Sequence, residues 1–142
     1  MADVTPAPLA EGETMKIEHV AYPMPDPLAA AKWYAEHLGF RVARAMDRSP
    51  YTHFLLDPDT GAMIEIYNNP AVAVPDYASM DPLLLHLAFA VDDVAAVRRT
   101  LLAAGATPVG EITVTPDGDE LAMLRDPWGF AIQLARRGTP MT

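Results

Sequence analysis

Apolar positions along this chain follow two periods, and they follow them twice. KIEHVAYPMPDP and LLLHLAFAVDDV each read as a short apolar strand with one histidine near its middle, His19 and His86. Each run leads to an aspartate placed to cap a helix, Asp26 in the first and Asp92 in the second. The helical segments are PLAAAKWYAEHL, with Pro27 at its first position, and DVAAVRRTLLAA. Apolar residues recur at helical spacing: Leu28, Ala31, Ala35 and Leu38 in one, Val94, Val97, Leu101 and Ala104 in the other. Each helix stops at a glycine, Gly39 or Gly105, which can take the left-handed conformation that ends a helix.

The parallel continues beyond the glycines. Three strand-like segments follow in each half: FRVARAM, YTHFLL and AMIEIY, then TPVGEITV, ELAMLRD and FAIQLA. The turns before the last strands, DPDTG and DPWG, both open with Asp-Pro and close with Gly. GAMIEI therefore aligns with GFAIQL, and Glu65 lies as far beyond Gly61 as Gln133 lies beyond Gly129. The pattern predicts an α+β fold of two tandem βαβββ modules, residues 15–69 and 83–137. A flexible leader is expected over 1–14, a linker over 70–82 and a tail over 138–142. The linker region, NPAVAVPDYASMDP, carries prolines and no helical pattern, so an extended crossing is expected. Neither module can bury its helix and both sheet faces alone. Together they are expected to curl into a half-open, barrel-like sheet of eight strands with the helices outside.

Composition removes several function classes. The 142 residues include no cysteine, which excludes disulfides, thiolate nucleophiles and Cys-ligated metals and fits a cytoplasmic location. Neither serine, Ser49 or Ser79, sits in a GxSxG setting, and no phosphate-cradling glycine motif occurs. The formal charge of −9 has the wrong sign for a nucleic-acid binder. No apolar run is long enough to span a membrane, and the N-terminus lacks a secretion signal. A small-molecule partner remains.

The repeat singles out four positions. His19 matches His86, and Glu65 matches Gln133: one polar residue in the first and last strand of each half. A single histidine or carboxylate in an apolar strand is ordinarily a satisfied or half-exposed residue. Four of them at matched positions suit a divalent transition ion such as Zn, Ni, Co, Mn or Fe, because imidazole nitrogens and carboxylate or amide oxygens accept any of these. Tyr51 and His53 alternate on one face of a neighbouring strand, which faces either the cup or a helix, and are candidates for the substrate pocket. Trp128, in the DPWG turn, is a candidate to cover one end of the cup. Trp33 and Tyr34 read as packing residues and His37 as solvated. Arg44, Arg48 and Arg125 are either surface residues or receivers of an anionic group.

At IEHVAYPMPDP, KWYAEHLGF, DPDTGAMIEIYNNP, LLLHLAFAVDD and LRDPWGFAIQL the chain resembles the vicinal-oxygen-chelate superfamily. That group includes glyoxalase I, methylmalonyl-CoA epimerase, extradiol dioxygenases, and the fosfomycin and bleomycin resistance proteins. The resemblance implies paired βαβββ modules around a metal held by His19, Glu65, His86 and Gln133, and a homodimer. Bacterial glyoxalase I carries His, Glu, His, Glu in this order, so Gln133 departs from it; the epimerases carry His, Gln, His, Glu. The implied activity is that of a metal-dependent lyase or isomerase, abstracting a proton beside a carbonyl with Glu65 as ligand and base. One alternative is an Fe(II) extradiol-type dioxygenase, against which the loss of a carboxylate at Gln133 counts. The other is a metal-free binding protein of the bleomycin-resistance type, against which the four ligand-type residues count although the acidic charge suits it.

Overall fold

A computed structural model describes residues 6, 7 and 10–142; residues 1–5, 8 and 9, most of the expected leader, lie outside the described residues. The first module runs β1 (Val20–Pro23), α1 (Pro27–His37), β2 (Arg41–Ala45), β3 (His53–Leu56) and β4 (Met63–Tyr67). The second runs β5 (Leu87–Ala90), α2 (Val94–Ala103), β6 (Thr107–Val114), β7 (Glu120–Arg125) and β8 (Ala131–Arg136). The strands form two four-stranded sheets, ordered β1-β4-β3-β2 and β5-β8-β7-β6. In each, the first strand lies parallel to the last, and the remaining pairs are antiparallel. The two sheets share no ladder, so the eight strands do not close into a barrel.

Local signals account for the helices. Asp26 accepts from the backbone N–H of Ala29 at 3.1 Å, and Pro27 occupies the first helical turn. In α2 the cap is Asp93, which accepts from Ala96 N–H at 3.0 Å, rather than its neighbour Asp92. The two aspartates are equivalent as residue types; the extended backbone at Asp93 decides which one reaches the helix end. Gly39 and Gly105 follow the helices with positive φ, as their positions predict.

One hydrophobic cluster joins both modules. Tyr22 of β1 stacks on Phe130 with ring centroids 4.1 Å apart, and Phe40 meets Phe89 edge-on. Trp33 donates its indole N–H to Ala104 O, and Tyr34 donates to the Asp126 carboxylate at 2.6 Å. These contacts correct the apolar stripe expected for α1. Leu28 is 67% exposed, whereas Trp33 and Tyr34 are buried, because the second module covers their side of the helix. His19 and His86 also sit one residue ahead of their strands rather than within them.

The linker is docked and partly helical, not merely extended. A 3-10 turn at Tyr77–Ser79 buries Tyr77, whose hydroxyl donates to Pro23 O at 2.7 Å. The Arg125 guanidinium donates to the carbonyls of Tyr77, Met80 and Gly129. Gly129 is required here: its φ is +88°, and a Cβ would sit 2.8 Å from that of Ala78. No described helix is long and apolar enough to cross a membrane.

Candidate functional site

Strand pairing decides which side chains share a face. Ala21 is opposite Glu65 in the first sheet, and Ala88 is opposite Gln133 in the second. Each histidine lies two residues before that alanine, so the register that relates His19 to Glu65 also relates His86 to Gln133. The neighbouring core positions, Ile64 and Ile66 or Ile132 and Leu134, point the other way and are buried. Both polar pairs therefore belong to the faces turned away from the shared core.

The first pair meets. His19 Nε2 lies 3.3 Å from Glu65 Oε2, and its ring stands edge-on to Phe54, which is opposite Glu65 on β3. His19 Nδ1 donates to Glu18 Oε1 at 2.9 Å. That contact places a proton on Nδ1 and turns Nε2 toward Glu65, so that a proton or a cation lies between Nε2 and the carboxylate. His86 repeats the arrangement with a different partner: its Nδ1 donates to Pro82 O at 2.9 Å, which again leaves Nε2 available. Orientation of a histidine through its second nitrogen is how metal ligands are commonly fixed. Glu18 escaped the sequence reading because alternation along a strand sends neighbours to opposite faces. Since β1 begins only at Val20, Glu18 and His19 can meet.

The donor set suits a divalent ion, yet one chain divides it. Among the described residues no three His, Cys, Asp or Glu side chains come close enough to hold a metal ion. Each module presents one half of that set, a half-site of one imidazole and one side-chain oxygen on an outward face.

Between the modules, at the starts of β1 and β5, opens a cleft of about 490 Å³. Val20, Tyr22, Ile64, Leu87 and Phe130 make its apolar wall, with Glu18 and His86 also lining it. It therefore touches His86 of the second half-site and Glu18, which orients His19 of the first. Arg44, opposite Phe54, stands on the same outward face as Glu65 and is the arginine placed to meet an anionic group there. Arg125 is spent on the linker carbonyls.

Tyr51 and His53 do not join Glu65. His53 is opposite Ile66, on the core face, and both residues line a separate cavity with Leu28 of α1. Trp128 packs edge-on to Trp33. Between the modules lies a buried chain in which Tyr22 donates to Tyr34 and Tyr34 to Asp126. Burial pushes Asp126 above the usual carboxylate range, opposed by the Tyr34 hydroxyl and by N–H groups of Phe130 and Trp128. Burial also raises both tyrosines, and it moves the Tyr77 hydroxyl up to about 12. This chain ties the modules together and stays clear of the half-sites.

Solved structures share the fold. A glyoxalase family protein from Bacillus cereus superimposes with a TM-score of 0.74 at 18% identity, covering 92% of this chain and 99% of that one. A glyoxalase I variant from Zea mays gives 0.68 at 26% identity, covering 86% of this chain and 45% of that longer one. An antibiotic-binding protein from Streptomyces sp. CB03234 gives 0.66 at 22% identity, covering 87% and 97%. No curated protein sequence matches. The family model for the Glyoxalase/Bleomycin resistance protein/Dioxygenase superfamily matches residues 16–134, nearly the whole chain, and the protein belongs to that superfamily.

Proposed function

We propose that this protein is a metal-dependent lyase or isomerase of the glyoxalase type, with His19, Glu65, His86 and Gln133 as ligands. The observation that carries the reading is the matched register of the two half-sites, each with its histidine held through Nδ1, and in the first with Nε2 turned to Glu65. A divalent ion, when bound, supplies Lewis-acid polarisation of a substrate carbonyl. Glu65 is the only carboxylate of the set, so it takes the proton from the adjacent carbon and returns it. Glu18 keeps His19 oriented, and the apolar cleft receives the body of the substrate away from water.

A second copy of the chain is part of the proposal, since one chain does not gather the set. Ile17, Val20, Leu83 and Leu84 are more than half exposed, and Ile17 and Val20 line the cleft. Exposed apolar surface of this kind marks an association face. In a homodimer, half-site one of each copy meets half-site two of the other.

A narrower reading, metal-free capture of a small molecule, is favoured by the apolar cleft itself and by the likeness to an antibiotic-binding protein. Elemental analysis of protein purified without chelators separates the two. The enzyme reading expects about one ion per chain, lost in both His19→Ala and His86→Ala, and a dimer by light scattering. A metal-free protein that still binds apolar ligands overturns it.

A further inference from the structure

His53 is 3% exposed, and its Nδ1 donates to Tyr51 O at 2.7 Å. That bond leaves a lone pair on Nε2, which has no hydrogen-bond partner among the described residues. Nor is Nε2 among the sealed polar atoms without a partner, and His53 lines a cavity. This cavity, about 400 Å³, lies at the start of α1 and is lined by Leu28, Ala45, Met46, Asp47, Tyr51 and His53. It shares no residue with the cleft between the modules.

The loop that shapes it is held in place. Tyr51 has φ of +57°, a conformation a bulky side chain adopts only when its surroundings impose it. Its N–H donates to Arg48 O, Met46 N–H donates to Thr52 O, and Asn68 N–H donates to Pro50 O. The twist at Tyr51 aims its carbonyl at His53 and so sets the tautomer. The polar residues of the wall are His53, Asp47 and Tyr51, with no lysine or arginine in the lining. The remainder is apolar. An acceptor-rich, apolar cavity of this size suits a small ligand with an N–H donor and a positive charge.

We propose that the first module carries a second small-molecule site, in which His53 Nε2 and Asp47 bind the N–H groups of a small hydrophobic ammonium ion. The site is independent of the metal half-sites and of the activity assigned to them.

The test uses benzylammonium as probe on the intact protein, with benzoate and benzyl alcohol as controls. Binding is read by calorimetry and by the imidazole resonances of His53. We expect a saturable shift of His53 with benzylammonium and at least tenfold weaker binding of both controls. Asp47→Asn is expected to weaken benzylammonium about tenfold. Leu28→Trp, at an exposed helix position, is expected to fill the cavity and abolish binding without unfolding the chain. No saturation by millimolar benzylammonium overturns the proposal. So does equal binding of the controls, or binding that neither substitution changes.

Discussion

In the first module the strand-end histidine is oriented by one carboxylate, Glu18, and faces a second, Glu65. In the second module the equivalent histidine is oriented by the Pro82 carbonyl and shares its face with the carboxamide of Gln133. The backbone frames match pair for pair. The chemistry laid on them does not: one half carries the carboxylates Glu18 and Glu65, the other a backbone carbonyl and a carboxamide. A duplicated frame thus keeps the register of the four side chains while leaving each half free to specialise. The helices differ in a related way. α1 buries Trp33 and Tyr34 against the opposite module, whereas α2 buries chiefly Val94 and Leu101.

The sharpest way to break the comparison is to exchange the two oxygen ligands. Glu65→Gln gives both halves a carboxamide and removes the only carboxylate among the four proposed ligands; turnover should fall roughly 100- to 10,000-fold while metal remains bound. Gln133→Glu restores symmetry the other way and should tighten metal retention, measured by competition with a chelator. Equal turnover in Glu65→Gln and the parent protein would refute the division of roles.

The two sheet faces offer the next contrast. Phe130, 1% exposed and stacked on Tyr22, belongs to the shared core, and Phe130→Ala should cost about 3–5 kcal/mol in urea unfolding. Phe54, on the outward face, should cost about 1 kcal/mol on the same change. Similar losses would mean that the outward face is as well packed as the core.

Gly61 and Gly129 close matched turns, with φ of +79° and +88°. A Cβ at Gly61 meets nothing within 4 Å, so Gly61→Ala should cost only the backbone strain, about 1 kcal/mol. At Gly129 the same atom strikes Ala78, and overpacking should add about 1–3 kcal/mol. The difference between the two midpoints measures how firmly the linker is docked.

The smallest effect is on pH dependence. Tyr22 and Tyr34 are raised by burial above the ordinary tyrosine value of 10.0. Folding then retains their protons more tightly than the unfolded chain does. The associated stability is complete below pH 10 and is lost as pH rises through the folded values. Tyr34→Phe should flatten this alkaline decline in a series of unfolding midpoints. Asp126, also raised, has the same sign in the acid range: its contribution is complete below about pH 3.8 and falls as pH climbs past the folded value.

Much of this was legible in the chain. Asp26, Pro27, Gly39 and Gly105 announce the helix ends, because caps and left-handed turns depend on local residue type. The match of GAMIEI to GFAIQL placed Glu65 and Gln133 at one register position, and the paired strands keep it. Other features were not legible. Asp92 and Asp93 differ only in the backbone they inherit. Leu28 and Trp33 exchange burial because a second module, remote in sequence, covers one side of α1. His53 was ambiguous because alternation along a strand shows which residues share a face, not what that face meets.

By itself, then, the sequence determined the repeat, the helix ends, the turn before each last strand and the four polar positions. Each follows from residue type or from a period of two or of three to four residues. Tertiary structure alone decided that the modules meet through Tyr22, Tyr34, Phe130 and Asp126, so that both half-sites face outward. It also gave Arg125 to the linker and set His53 in the wall of a cavity beside Leu28. These outcomes depend on how distant surfaces bury one another, and a local period carries no information about which surface will arrive.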